Sequence, residues 1–265
     1  MKIQVYIFSW PSVHHRVPSI VRELKECSLS EITVISSGKH PFSYNGVRIE
    51  NINKDAFYGE QFLTAAKMFD GDVFLQIQGD ITIKNRLNLN KHLTDIFDNH
   101  EIGIWTPQIN FTSWVDEIVQ LEYDYSYHYK SKILLNNSHK VVLNTDSTFW
   151  AIRSSLMQEY LRTALVKSKY GWGIDLTLSS LTYANQMLAI RDKALMVDHP
   201  RNTGYDQIHA GEEWLEMYEL LDSQIKPMIW IITTLLKSNS RKYNKKIKVR
   251  ITNLVYLLIR RIKLS

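Results

Sequence analysis

The stretch Asp72-Val73-Phe74-Leu75-Gln76-Ile77-Gln78-Gly79-Asp80 reads as a buried strand that ends on a carboxylate. Val73, Phe74, Leu75 and Ile77 suit an enclosed, pleated backbone, and Gly79 lets the chain turn sharply where Asp80 emerges. In an open α/β sheet, a carboxylate at the carboxyl end of a central strand faces the ligand crevice. There it can hold a divalent cation against phosphate oxygens. The plain alternative is an acid that ends a strand because the chain turns into solvent. The stretch alone does not separate the two.

On either side of this strand, helical and extended patterns alternate. Ile3–Ser9 predicts a strand, Pro18–Glu26 a helix with Ile20, Val21 and Leu24 inward, and Glu31–Ser36 a second strand closed by Ser37-Gly38. Val47–Ile52 predicts a short third strand and Gly59–Phe69 a helix, with Leu87–Asn99 helical and Ile102–Trp105 extended after Asp80. Strands separated by helices predict an α/β fold with an open, mostly parallel sheet and flanking helices. Beyond Pro107 the pattern is less regular. Leu121–Tyr129, dense in Tyr and acids, reads as an excursion over the surface or cleft. Val141–Leu143 and Thr148–Ile152 read as extended, Ser154–Val166 as helix, Gly171–Asp175 as a turn into a helix over Leu176–Met187, and Leu195–Val197 as a last short strand.

At 265 residues and 45% apolar content the chain has ample material for one large domain, or a domain with an appendage. Its 14 Tyr and 7 Trp could stack on sugar rings, although rings serve cores and interfaces equally well. The single cysteine, Cys27, excludes an internal disulfide and a cysteine-rich metal site and fits a reducing compartment. The first residues, Met1 to Phe8, read as a strand rather than as a secretion signal.

Charge divides the chain. Residues 1–222 hold 21 Lys and Arg against 27 Asp and Glu, a formal −6, whereas residues 223–265 hold 11 Lys and Arg and no acid, +11. An acidic body with a basic tail implies a polyanionic partner such as a membrane surface or nucleic acid. The tail carries two apolar pieces, Met228–Leu236 and Ile251–Ile259, each about half of the ~20 residues that cross a bilayer as a helix. Flanked by Lys and Arg, they suit the membrane interface; a helical hairpin packed on the body, or a subunit contact, is the alternative. The expected division is a body over 1–222 and a basic amphipathic helical tail over 223–265.

Three further segments accompany Asp80: Asn144-Thr145-Asp146-Ser147-Thr148 leading to Arg153, Tyr170-Gly171-Trp172-Gly173-Ile174-Asp175 before a helix, and Val197-Asp198-His199-Pro200 through Tyr205. In this order they resemble nucleotide-sugar-dependent glycosyltransferases of the GT-A fold, in particular the inverting group called family 2. The resemblance spans residues 1–205. It implies a Rossmann-like GT-A domain in which Gln78-Gly79-Asp80 stands at the family's DXD motif, with Asp80 facing a Mn or Mg ion and Gln78 replacing the first acid. Asp175 matches the final acid of the family's "ED" motif and would serve as the catalytic base; a helix cap is the plainer reading. His199 matches a histidine that some members use as a further metal ligand; otherwise it is a loop residue.

By the same resemblance, Ser9 and Trp10 would receive the nucleoside, and His14, His15 and Arg16 could meet phosphate. Arg153 would pair with phosphate or with a core carboxylate. Asp146, Trp172 and Tyr205 would address the acceptor or donor sugar. The implied activity is transfer of a sugar from a nucleotide-diphosphate donor, a UDP-sugar favoured, to a hydroxyl of a glycan or lipid-linked acceptor. The implied setting is bacterial surface polysaccharide synthesis, at the cytoplasmic face of the cell membrane and held there by the tail, with oligomers compatible. Three other readings compete: a sugar nucleotidyltransferase, disfavoured because Ser9–Val17 contains no glycine to cradle a triphosphate; a nucleic-acid binder, disfavoured by the acidic body; and an inactive GT-A scaffold.

Overall fold

The structure is a computed structural model that describes residues 1–110, 138–163, 169–200 and 207–240. Its first half follows the sequence pattern closely. Strand β1 (Ile3–Ser9) leads through a short 3-10 turn to helix α1 (Val17–Glu26), then to β2 (Ile32–Ser36), β3 (Arg48–Asn51), α2 (Tyr58–Met68) and β4 (Val73–Gln78). Helix α1 places Val17, Ile20, Val21 and Leu24 on one buried face, the i, i+3, i+4, i+7 stripe of a helix lying on a sheet, and Pro18 sits in its first turn. Strands β1 and β4 are buried along almost their whole length, as expected for central strands covered on both sides.

Gln76 is fully buried in β4, yet its side-chain oxygen accepts hydrogen bonds from Tyr58 Oη at 3.1 Å and from the Trp150 indole N–H. A second buried amide, Gln61 on α2, donates to the carbonyls of Ser9 (2.8 Å) and Ile35 (3.2 Å) and so ties the ends of β1 and β2 together.

Past Asp80 come β5 (Thr82–Ile83), α3 (Leu89–Phe97), β6 (Ile102–Asn110), β7 (His139–Val141), β8 (Phe149–Arg153), α4 (Ser154–Thr163), α5 (Ile174–Ala184), β9 (Leu188–Asp198), α6 (Gln207–Leu220) and α7 (Lys226–Ser240). The strands form one sheet in the order β3-β2-β1-β4-β8-β6-β9-β5, with β7 also on β9. The expectation of a mostly parallel sheet is corrected here. β1 to β4 are mutually parallel, but β8 inserts antiparallel between β4 and β6, and β5 and β7 both run antiparallel to β9. Four of the eight pairings among the described residues are therefore antiparallel. The last strand is also longer than its sequence suggests, because Arg191 and Asp192 lie buried within it.

β1 hydrogen-bonds β2 on one side and β4 on the other, so the strand order reverses between β1 and β4. Such a switch point opens a crevice at the carboxyl ends of the two strands. Ser9 and Asp80 lie there.

The C-terminal helices complete the body. Ile225, Met228, Ile229, Ile231 and Ile232 are buried in the same core as the sheet, and α7 packs against α5. The first apolar piece of the tail is thus buried on the body, at least over Met228–Ile232, while Trp230 points outward, 65% exposed. The second piece, Ile251–Ile259, and the expected excursion over Leu121–Tyr129 lie outside the described residues. No described helix is long and apolar enough to cross a membrane.

Candidate active site

The crevice is built by close approach of backbones. Gly79 N–H donates to the Phe8 carbonyl at 2.8 Å, and a Cβ at Gly79 would stand 2.8 Å from that oxygen and 3.0 Å from Val13 Cγ2. Glycine is required there because β1 and the turn after β4 nearly touch. The turn is clamped from below by Arg16, whose guanidinium donates to the Asp80 carbonyl (2.5 Å), the Ile81 carbonyl (2.8 Å) and Thr82 Oγ1 (2.6 Å). Arg16 therefore shapes the Asp80 turn. His14 is likewise occupied, with Nε2 3.0 Å from Ser36 Oγ and its ring stacked on Phe42.

Two residues after Asp80, β5 pairs antiparallel with the end of β9, with Thr82 opposite Asp198. That pairing brings His199 to Asp80: Nε2 lies 3.4 Å from Oδ2, and the two residues are 6% and 3% exposed. Neither Asp80 oxygen and neither His199 nitrogen has a hydrogen-bond partner within the protein. Burial lowers the His199 pKa, but the carboxylates of Asp80 and Asp146 outweigh it and the net direction is upward. A cleft of about 410 Å³ opens beside the pair, walled by Trp10, Val13, His15, Arg16, Asp80 and Pro200.

The 144–148 loop reaches the same end of the sheet because β8 runs back along β4, with Phe149 opposite Ile77. In it, Asp146 Oδ1 accepts from Thr148 N (3.0 Å) and Thr148 Oγ1 (2.5 Å), leaving buried Oδ2 without a partner. Burial pushes the Asp146 carboxyl up, against the Thr148 hydrogen bonds and the pull of His199. Asn144 joins this loop to Asp175: its side-chain oxygen accepts from Ser179 Oγ at 2.8 Å and its amide donates to Asp175 Oδ2 at 3.3 Å.

Asp175 stands in the first turn of α5, after Gly173, whose φ of +87° is the left-handed conformation that favours glycine. Trp214 of α6 packs against that glycine, where a Cβ would fall 1.9 Å from its ring. Burial pushes the Asp175 carboxyl up to about 6, with Asp146 adding to the rise and the backbone N–H of Leu176 and the Asn144 amide opposing it. A half-buried acid with that pKa can take up a proton near neutral pH.

The sequence-predicted residues divide on this geometry. Asp80, His199 and Asp146 are mutually coupled, Asp175 is coupled to Asp146, and Trp10 lines the cleft at Asp80. Ser9 ends β1 with a buried, unpartnered hydroxyl, Gln78 is half-buried just before Asp80, and half-buried Trp172 precedes Asp175. Tyr205 lies outside the described residues. Arg153 is a correction. It pairs opposite Val73, at the far end of β4 from Asp80, and donates to the carbonyls of Phe97, Asn99 and Ile102 while stacking on the Phe97 ring. It closes α3 onto β6 and does not face the crevice.

Sequence reasoning missed Asn144 as a partner of Asp175, and also a second group, His92, His139 and Asp192. The potential ligand atoms of these three lie within 4.8 Å of one another, so they could coordinate a divalent metal. No spacing signal announces them, because they come from a helix and two strands far apart in the chain.

No protein-family model matches the sequence, and no curated protein matches it. Solved structures do match the fold. Residues 1–349 of S. aureus TarS in complex with UDP-GlcNAc superpose with a TM-score of 0.61 at 11% identity, over 93% of this chain and 74% of that one. The same TarS region in complex with UDP gives 0.60 at 13%, over 93% and 73%. GalNAc-T7 with UDP, GalNAc and Mn²⁺ gives 0.57 at 10%, over 92% of this chain and 53% of that one. At such identities the likeness concerns architecture: the chain has a GT-A-like fold.

Proposed function

We propose that the protein is a nucleotide-sugar-dependent glycosyltransferase that moves a sugar from a nucleoside-diphosphate donor to a hydroxyl of a glycan or lipid-linked acceptor. The observation that carries this reading is the buried Asp80–His199 pair at the switch-point crevice, whose facing atoms stand 3.4 Å apart without a well-formed hydrogen bond and whose Asp80 Oδ1 and His199 Nδ1 have no partner within the protein. Burying such groups without partners is costly, so a ligand that satisfies them is the economical explanation. One carboxylate and one imidazole suit Mn, and Mg would lean on the carboxylate alone, with the remaining positions left for phosphate oxygens and water. Such an ion, when bound, supplies charge neutralisation to the departing diphosphate.

The remaining roles are those that the resemblance implies. Ser9 and Trp10 receive the nucleoside at the end of β1, and uncharged Gln78 hydrogen-bonds a ribose hydroxyl or an ion-bound water. Asp175 takes the proton of the acceptor hydroxyl, while Asp146, Trp172 and Tyr205 address the sugars. Displacement in a single in-line step gives inversion. A UDP-sugar is the favoured donor, and bacterial surface polysaccharide synthesis at the cytoplasmic membrane face is the favoured setting, with the basic tail on anionic lipid.

The test is thermal stabilisation by UDP, GDP, CMP and dTDP, each with and without Mn²⁺, in the wild type and Asp80→Ala. A ligand at a hundredfold excess over its Kd stabilises by about 2.7 kcal/mol. The expected result is a shift with one nucleotide, enhanced by Mn²⁺ and lost in Asp80→Ala. Absence of a shift for every nucleotide, and for a panel of sugar nucleotides, in folded protein would overturn the reading.

A further inference from the structure

We infer that His92, His139 and Asp192 form a second metal site, of the zinc class, that fastens α3 and β7 to β9. Asp192 is fully buried, and its Oδ2 lies 2.5 Å from His92 Nε2 and 3.3 Å from His139 Nε2. Both histidines thus present the same nitrogen to one carboxylate oxygen, and His139 Nε2 is buried without a satisfactory hydrogen bond. Two imidazoles and one carboxylate are the donor set of three-residue zinc sites, which leave a fourth position to water. Imidazole nitrogen selects zinc-like ions over Mg, which prefers oxygen.

The surroundings are those of a supported ligand. Trp105 Nε1 donates to Asp192 Oδ2 at 3.1 Å, and the Ala194 N–H holds Oδ1 at 2.8 Å, fixing the carboxylate with one oxygen toward the histidines. Outer contacts of this kind orient metal ligands and are worth ~10–100-fold in affinity. The histidine side chains are 20% and 10% exposed, so an ion can reach the site from solvent.

The site is separate from the Asp80 crevice. Asp192 pairs with Pro107 and Asp198 with Asn110, so the cluster lies three residue positions down β6 from the crevice end, on the order of 10 Å. It is nevertheless connected to it. From His139 the chain runs through Val142, hydrogen-bonded to Ala189 and Tyr183, to Asn144 and Asp146. An ion at His139 therefore anchors the start of the segment that carries the partners of Asp175 and His199.

The experiment uses untagged full-length protein, stripped with chelator and then titrated with Co²⁺ and with Zn²⁺. The expected result, in nucleotide-free protein, is one tightly held ion per chain, separate from any weaker binding at the two-ligand Asp80 crevice, with the visible spectrum of four-coordinate cobalt and a rise in melting temperature. In His139→Gln and His92→Gln, affinity should fall at least tenfold, whereas Asp80→Ala should keep the cobalt spectrum. Folded wild type that retains neither ion would overturn the inference and leave the three residues as a hydrogen-bonded cluster. Loss of the spectrum in Asp80→Ala with retention in both histidine variants would overturn it too, by moving the ion to the crevice. Nucleotide binding enters neither outcome, so this test and that of the transferase reading fail independently.

Discussion

His199 Nε2 stands 3.4 Å from Asp80 Oδ2 in a site where both side chains are almost completely enclosed. Burial alone would hold the imidazole neutral; the carboxylates of Asp80 and Asp146 reverse that and raise its pKa above 6.5. In ion-free protein, Asp80→Asn should therefore move the His199 titration to lower pH, as read from its ring-proton chemical shift. A raised folded pKa adds stability that is complete below 6.5 and is lost as pH rises through the folded value. Wild type should accordingly lose stability across that window, and Asp80→Asn should lose less of it. A His199 titration that stays in place in the variant would separate the two residues electrostatically.

Asp175 carries the opposite penalty. Its pKa is raised from 3.8 to about 6, so its protonated form is favoured in the fold and ionisation becomes unfavourable as pH rises from about 4 to about 6. Asp175→Asn should stabilise the protein by ~1–2 kcal/mol at pH 8, less than the full shift implies because the residue is half-buried, and by much less near pH 4. Transfer activity should fall ~10²–10⁴-fold in the same variant, and wild-type activity should rise with pH through about 6. Denaturation midpoints at the two pH values, beside a pH–rate profile, check both halves. A destabilised variant at pH 8 would show that Asp175 acts as a helix cap and not as a strained base.

Arg153 should answer only to stability. Its guanidinium serves three carbonyls and the Phe97 ring, so Arg153→Met strands acceptors at the end of α3. Hydrogen bonds from a charged donor are worth about 1.5–3 kcal/mol each, partly recovered by water in this half-buried place. A loss of ~2–4 kcal/mol in urea denaturation is expected, with the Kd for nucleotide unchanged in the protein that remains folded. A selective loss of nucleotide affinity would return Arg153 to the crevice.

Arg153 also illustrates what the chain discloses and what it withholds. β1, β2 and β4 are legible because each is a nearly unbroken apolar run and amphipathic helices lie between them, and Asp80 is legible because it ends such a run. The sequence cannot show that β8 runs antiparallel to β4, and that single reversal puts Asp146 at the crevice and sends Arg153 to the far end. The Asp80–His199 contact depends on two-residue β5, too short to leave a pattern. Asp192 is hidden for another reason: Arg191-Asp192-Lys193 looks like a solvent turn until His92 and His139 arrive from elsewhere in the chain.

The tail is best tested by cutting it in two places. Residues 241–265 hold nine Lys and Arg and no acid, whereas Ile225, Met228, Ile229 and Ile232 belong to the buried core. A chain ending at 240 should keep its melting temperature to within a few degrees. One ending at 222 removes at least four buried side chains, each worth ~2–5 kcal/mol when truncated to alanine, and should unfold or aggregate. Each basic residue near an anionic surface adds ~1 kcal/mol of attraction, so full-length protein should sediment with phosphatidylglycerol vesicles at low salt and be released by high salt. The 1–240 chain should remain in the supernatant. If it sediments as the full chain does, the attachment lies on the body, where Trp230, Leu215 and Leu220 are exposed, and not in the basic segment.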